Sequence, residues 1–159
     1  MKSAYLIALG SNQRHPRIGN PPAVLRHAVQ SLGKIARLRA VSPIFDTPPL
    51  GPSRRRYANA ALILESVMAP ADLLATLQRM ETGYGRVRRG QNWGARVLDL
   101  DIVLWSGGAL QDRHLTIPHP RFRERDFVLR PAVRIAGRWR DPVSGLSLRH
   151  LTARHSKAR

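Results

Sequence analysis

Asp99 and Asp101 lie two residues apart in the run Trp93-Gly94-Ala95-Arg96-Val97-Leu98-Asp99-Leu100-Asp101-Ile102-Val103-Leu104. Side chains alternate across a strand, so both carboxylates leave one face. Leu98, Leu100, Ile102 and Leu104 then form an apolar row on the other face, and that row needs a core beneath it. Burying an unpaired carboxylate is costly, so the acids must meet a cation, a basic partner or water. Strand rise sets their α-carbons about 7 Å apart, and the two side chains can converge on a metal or a close metal pair. The alternative is an Asp pair at a solvated sheet edge, held by nearby arginines. Just upstream lies a segment of glycine and arginine: Gly83, Gly85, Arg86, Arg88, Arg89 and Gly90. Carboxylates hold Mg²⁺, the metal bridges phosphates, and arginines neutralise the remaining charge. Together these residues make a phosphoryl-transfer kit without a P-loop, since the chain has no Gly-x-x-x-x-Gly-Lys motif. The protein-kinase signature set is absent as well.

Other candidates stand nearer to bland readings. His119 lies in a proline-flanked turn, where a histidine often has only a structural role. Gln78 and Glu81 can be the polar shoulder of a helix, and Arg86, Arg88 and Arg89 a solvated loop.

Several elements must position these groups. Ala4–Leu9 is a continuous apolar run, as in a central strand covered on both faces. Gly10-Ser11-Asn12 stops it. Leu25, Ala28, Val29 and Leu32 keep helical spacing, with Asn20 or a neighbour as cap and Gly33 near the stop. Leu38–Thr47 reads as a second strand, placed at an edge or bulged because Pro43 lacks an amide proton. Tyr57–Val67 reads as a third strand, with Tyr57, Asn59, Ala61 and Ile63 on one face. Pro70 opens a helix to about Gly83, striped by Leu73, Leu74, Leu77 and Met80. After the Asp99/Asp101 strand, Ser106-Gly107-Gly108 turns into a short strand, and Leu115–Pro120 is a stiff connection. Phe127–Ile135 has helical character that Pro131 should interrupt. The order predicts a ferredoxin-like β-α-β-β-α-β core, an α+β fold with a mainly antiparallel sheet, helices packed on it and additional C-terminal elements.

The chain has 159 residues, the size of one domain, so a single domain over 1–159 is expected. The basic stretch 149–159 reads as a loosely ordered end. No run is long enough to span a bilayer, and no membrane partner is expected. Cysteine is absent, which excludes disulfides and thiolate chemistry and favours the cytoplasm. Lys and Arg number 27 against 10 Asp and Glu, for a formal charge of +17. Such a balance attracts anions: nucleic acid, membrane phosphates or a polyphosphate ligand.

Taken in order, the motifs resemble the 6-hydroxymethyl-7,8-dihydropterin pyrophosphokinase family of folate biosynthesis. The resemblance covers nearly the whole chain. It rests on Gly10-Ser11-Asn12, Thr47-Pro48-Pro49-Leu50-Gly51, Tyr57-x-Asn59, Gln78-Arg79-Met80-Glu81 and Gly85-Arg86-Val87-Arg88. It continues in Trp93-Gly94-Ala95-Arg96-x-Leu98-Asp99-Leu100-Asp101-Ile102, Leu115-Thr116-Ile117-Pro118-His119 and Arg125-x-Phe127. The resemblance implies transfer of pyrophosphate from ATP to the pterin hydroxymethyl group, leaving AMP. It implies that Asp99 and Asp101 hold two Mg²⁺ ions, and that Arg86, Arg96, His119 and Arg88 meet phosphate charge. Gln78, Glu81, Ile102, Thr116 and Arg125 would lie near the nucleotide, with Trp93 shared between the two substrates. Tyr57 and Phe127 would stack on the pterin, Asn59 would bond to it, and Thr47, Pro48 and Leu50 would complete its site. Three positions depart from the common pattern: Asp46 stands where a basic residue is frequent, Ala95 where proline is, and His114 where arginine is.

Two rival functions follow from the same residues. A nucleic-acid-binding domain explains the charge through counterion release, but not the acidic pair, which would repel phosphate without metal. A nonenzymatic pterin or nucleotide binder would have no need of that pair. The expectation is therefore an enzyme acting on small molecules as a monomer, with no specific nucleic acid partner.

Overall fold

The computed structural model describes residues 1–47, 56–85 and 96–158. Strand β1 (Ser3–Ser11) runs through the middle of a five-stranded sheet. It pairs with β4 (Tyr57–Ser66) on one side and β5 (Asp99–Trp105) on the other. Outside β4 lie β2 (Arg37–Val41) and the short β3 (Phe45–Thr47). The order is β2-β4-β1-β5, β3 also pairs with β4, and every pairing is antiparallel. This is the ferredoxin-like arrangement that the sequence order predicts.

Tyr5, Ile7 and Leu9 of β1 join one apolar cluster, while Leu6 and Ala8 join another. Both faces of the sheet are therefore covered. On the first face pack α1 (Pro21–Ile35) and α2 (Pro70–Gly83), through Val24, Leu25, Ala28, Leu32, Leu73 and Leu77. On the second pack α3 (Asp126–Ala136) and α4 (Leu148–Lys157), through Val128, Leu129, Ala132, Leu148 and Leu151. Burying each such side chain contributes about 1.5–3 kcal/mol. α1 begins as its sequence suggests: Asn20 Oδ1 accepts from Ala23 N–H at 3.1 Å, with Pro21 and Pro22 in the first turn.

Local differences from the sequence reading have identifiable causes. The expected strand over 38–47 is two strands, broken at Ser42-Pro43-Ile44. Ser42 covers the break: its Oγ accepts from Ala61 N–H at 2.9 Å, and its own N–H donates to Ala61 O at 2.8 Å. The apolar row of β5 does not reach Leu104. Leu6 pairs with Leu104 but Ile7 with Ile102, so Val103 is an extra residue, and Val103 and Leu104 both turn to the second face. α1 runs past Gly33 to Ile35. α3 passes through Pro131 without a break, and 148–157 is helix rather than a loose end. Two buried leucines and a Ser147 cap, whose Oγ accepts from His150 N–H at 3.2 Å, hold that last helix.

β6 (Leu110–Gln111) and β7 (Thr116–Ile117) form a small hairpin beyond β5, and the Ile117–Pro118 peptide is cis.

Candidate active site

The register of the sheet builds one row across four strands. Phe45 pairs with Asn59, Asn59 with Gly10, and Gly10 with Asp99. Alternation puts Thr47, Tyr57, Ala8 and Asp101 on the same face as this row. Gly10 is the close approach in its middle: a Cβ there would lie 3.3 Å from Asn59 Oδ1 and 4.0 Å from Asp99 Cβ. The small residues Ala8 and Gly10 leave a floor, and the first turn of α3 stands above it. The result is a cavity of about 550 Å³, lined among others by Thr47, Tyr57, Asn59, Asp99, Asp101 and Phe127. Gly10, Asn12 and Arg125 also line it.

Its wall is unusual for a protein surface. Tyr57 is 39% and Phe127 50% exposed, two aromatic rings open to one hollow. The Arg125 guanidinium lies over the Phe127 ring, 5.6 Å from its centroid. Exposed rings beside an amide and two carboxylates suit a flat, polar heterocycle.

A second cavity of about 300 Å³ opens at the outer edge of β5, lined by Leu74, Ile102, Thr116, His119 and the Asp112–Leu115 turn. Asp101 lines it too, so this residue stands on the wall between the hollows. His119 is fixed there by its backbone, whose N–H donates to Val103 O at 3.1 Å. Its Nδ1 accepts from Arg121 N–H at 3.2 Å, so a neutral ring carries its proton on Nε2. Burial pushes the His119 pKa down, and Arg125 and Arg121 push the same way against the opposing charge of Asp101. The ring is therefore neutral at physiological pH and presents an N–H donor.

The acidic strand is held from behind. Glu81 is buried at 3% exposure, and its Oε2 accepts from Leu100 N–H at 2.8 Å, between the two aspartates. Arg96 Nη1 lies 3.4 Å from Asp99 Oδ1. Arg96 is itself pinned to the end of β1: its N–H donates to Asn12 Oδ1 at 2.5 Å, and Asn12 N–H donates to Arg96 O at 3.0 Å.

The arrangement matches a known family. Residues 6–137 fit the model for 7,8-dihydro-6-hydroxymethylpterin-pyrophosphokinase. A Haemophilus influenzae 2-amino-4-hydroxy-6-hydroxymethyldihydropteridine pyrophosphokinase is 39% identical over 139 residues, spanning 86% of this chain and 82% of the relative. The enzyme of that name from Pseudomonas aeruginosa is 39% identical over 133 residues, covering 82% of this chain and 78% of the relative. The chain belongs to this family. It is an ATP-dependent diphosphotransferase of folate biosynthesis, passing pyrophosphate to the hydroxymethyl group of the dihydropterin. The fold agrees: a Plasmodium falciparum HPPK-DHPS solved with pterin and p-hydroxybenzoate superposes with a TM-score of 0.75 at 12% identity, covering 99% of this chain. This chain spans 44% of that solved chain.

Of the residues that the sequence singles out, the structure brings Asp99, Asp101, Thr47, Tyr57, Asn59, Phe127 and Arg125 to the first cavity. It brings Ile102, Thr116 and His119 to the second. Arg125, expected near the nucleotide, lines the aromatic cavity. Gln78 is half-buried on α2 and, like Glu81 and Arg96, lines neither hollow. Pro48, Leu50, Arg86, Arg88 and Trp93 lie outside the described residues. Gly10 and Asn12 carry more of the site than their place in a turn motif suggests. The signal for Gly10 was a glycine ending a buried strand, which marks a close approach.

Among the described residues, no three His, Cys, Asp or Glu side chains converge to hold a metal. The acidic pair supplies two carboxylates, with four hard oxygens between them. That suits Mg²⁺, which commonly takes one or two carboxylates and completes its shell with water and substrate phosphates.

Proposed function

We propose that the pterin occupies the cavity of Tyr57, Asn59, Thr47 and Phe127, and that ATP enters past His119, Thr116 and Ile102. Asp99 and Asp101 then hold two Mg²⁺ ions where the substrates meet. The observation that carries this reading is that Asp101 lines both hollows. Only at that wall can one carboxylate serve a heterocycle on one side and a phosphate chain on the other.

The roles of the side chains follow from their chemistry. Tyr57 and Phe127 fix the plane of the pterin by stacking, and Asn59 offers a donor and an acceptor to its ring edge. Arg96 and His119 Nε2–H meet phosphate oxygens and stabilise the charge that develops as the β-phosphorus is attacked. Arg125, over Phe127, is a further phosphate partner by family resemblance. Bound at the aspartates, the ions supply Lewis-acid charge that neutralises the phosphates and acidifies the acceptor hydroxyl. The hydroxyl gives up its proton to water, its oxygen forms a bond to the β-phosphorus, the bond from that phosphorus to the α-phosphate oxygen breaks, and AMP leaves with that oxygen. Arg86 and Arg88 are further phosphate partners by family resemblance, and Pro48, Leu50 and Trp93 further contacts to the substrates.

We infer a single domain that acts as a monomer. The cysteine-free chain suits a reducing compartment, and we place the reaction in the cytoplasm. No helix among the described residues is long and apolar enough to cross a membrane.

The test is the nucleotide product. With Mg²⁺, ATP and 6-hydroxymethyl-7,8-dihydropterin the enzyme is expected to release AMP, and chelation should stop it. Asp99→Asn and Asp101→Asn should each lower turnover by about 100-fold or more, with pterin binding retained. Release of ADP, or full turnover in either variant, contradicts the reading.

A further inference from the structure

Strand β3 is three residues long and reaches the sheet through β4 alone. Its last rung pairs Thr47 with Tyr57, and both line the pterin-side cavity. So short an edge strand has few ladder bonds with which to hold that rung. Next to it lies an ion pair within neither hollow. Arg56, the residue before Tyr57, donates from Nε to Asp46 Oδ1 at 2.7 Å and from Nη2 to Asp46 Oδ2. Asp46 precedes Thr47 and pairs in register with Ala58.

Alternation sends the Asp46 side chain to the sheet face opposite Thr47, away from the cavity. Its charge therefore does not reach a ligand directly. Most exposed ion pairs do little, because two long side chains must be ordered for a screened attraction. A two-pronged guanidinium–carboxylate pair differs in fixing orientation as well as distance. Here it spans the two residues that immediately flank the last rung.

We propose that the Asp46–Arg56 pair is a positioning latch that holds Thr47 and Tyr57 side by side for the pterin. Asp46 and Arg56 are positioning residues, and they act through the rung rather than on the substrate. The latch stays closed over the working pH range, since the hydrogen bond from Arg56 outweighs desolvation and holds the Asp46 carboxyl below its ordinary pKa. The inference rests on the reading that Thr47 and Tyr57 contact pterin.

Steady-state kinetics of Asp46→Asn, Arg56→Gln and the charge-swapped double variant Asp46→Arg/Arg56→Asp test it, with Tyr57→Ala alongside. Each single variant should raise KM for pterin about 3- to 5-fold while leaving kcat and KM for ATP within about twofold. The swapped pair should return KM for pterin to within about twofold of wild type. Both side chains are exposed, so thermal midpoints should move by no more than about 2 °C. If Tyr57→Ala weakens pterin binding while the single variants leave KM for pterin unchanged, the latch is wrong and the site reading stands. If Tyr57→Ala leaves pterin binding unchanged, both fall together. A swap no better than the singles also overturns the latch.

Discussion

At the scale of single residues, the site depends as much on what is missing as on what is present. Gly10 separates Asn59 from Asp99, and the space above it is the floor of the first cavity. Gly10→Val is expected to weaken pterin binding about tenfold or more, because a Cβ already sits 3.3 Å from Asn59 Oδ1 and the methyls extend into the hollow. Stability should change by no more than about 1–2 kcal/mol, because removing a strand glycine, which costs about 0.5–1 kcal/mol relative to alanine, offsets part of the crowding against Asn59. Titration of pterin into the variant, paired with a melting curve, measures both effects. Unchanged pterin affinity would remove Gly10 from the site. Alternation alone revealed Asp99 and Asp101 in the sequence, because two acids on an apolar strand stand out. It could not reveal the tie between Asn12 and Arg96, whose partners are 84 residues apart.

At the scale of elements, the acidic strand is anchored at several points along its length. Glu81 of α2 holds Leu100, and His119 holds Val103. The covering layer of α3 and α4 has its own anchor in Asp141, whose side chain is fully buried. Arg123 donates to it from Nε at 2.6 Å and from Nη2 at 2.8 Å, Ser144 Oγ at 2.7 Å and Val143 N–H at 3.0 Å. Burial alone would push this carboxyl up, but these donors together hold it at about 2. An unfolded Asp titrates near about 3.9, so the folded value is depressed. The group's contribution to stability is present above about pH 4 and lost as pH falls toward 2. Asp141→Asn should therefore cost about 1–3 kcal/mol at neutral pH and flatten the loss of stability between pH 4 and 2. Urea unfolding across that range measures both; an unaltered acid slope would show that another group sets it.

At the scale of the whole molecule, the sheet is covered on two sides and the chemistry lies at one end of it. The order of strands and helices was legible because β1 is an unbroken apolar run, the start of β5 alternates, and α1 and α2 keep helical spacing. Three features were not. Pro43 announced an irregular edge, but not that Ser42 would stand in for a ladder partner. The extra residue Val103 changes which face Leu104 serves, and such a register shift depends on the opposite strand. α4 reads as a basic tail because only Leu148 and Leu151 among its residues are buried, and they matter only once α3 is beside them. Much of the candidate site was legible by motif, whereas the division into two hollows required the hairpin β6–β7 to be placed against β5.

The central claim is that the acidic pair holds metal between the two substrates. A crystal of the enzyme grown with Mn²⁺, a nonhydrolysable ATP analogue and the pterin tests it most directly. Anomalous density should place ions about 2.0–2.3 Å from carboxylate oxygens of both Asp99 and Asp101, with phosphate oxygens completing their shells. Density on neither residue, with both carboxylates paired to guanidinium groups instead, would contradict the account.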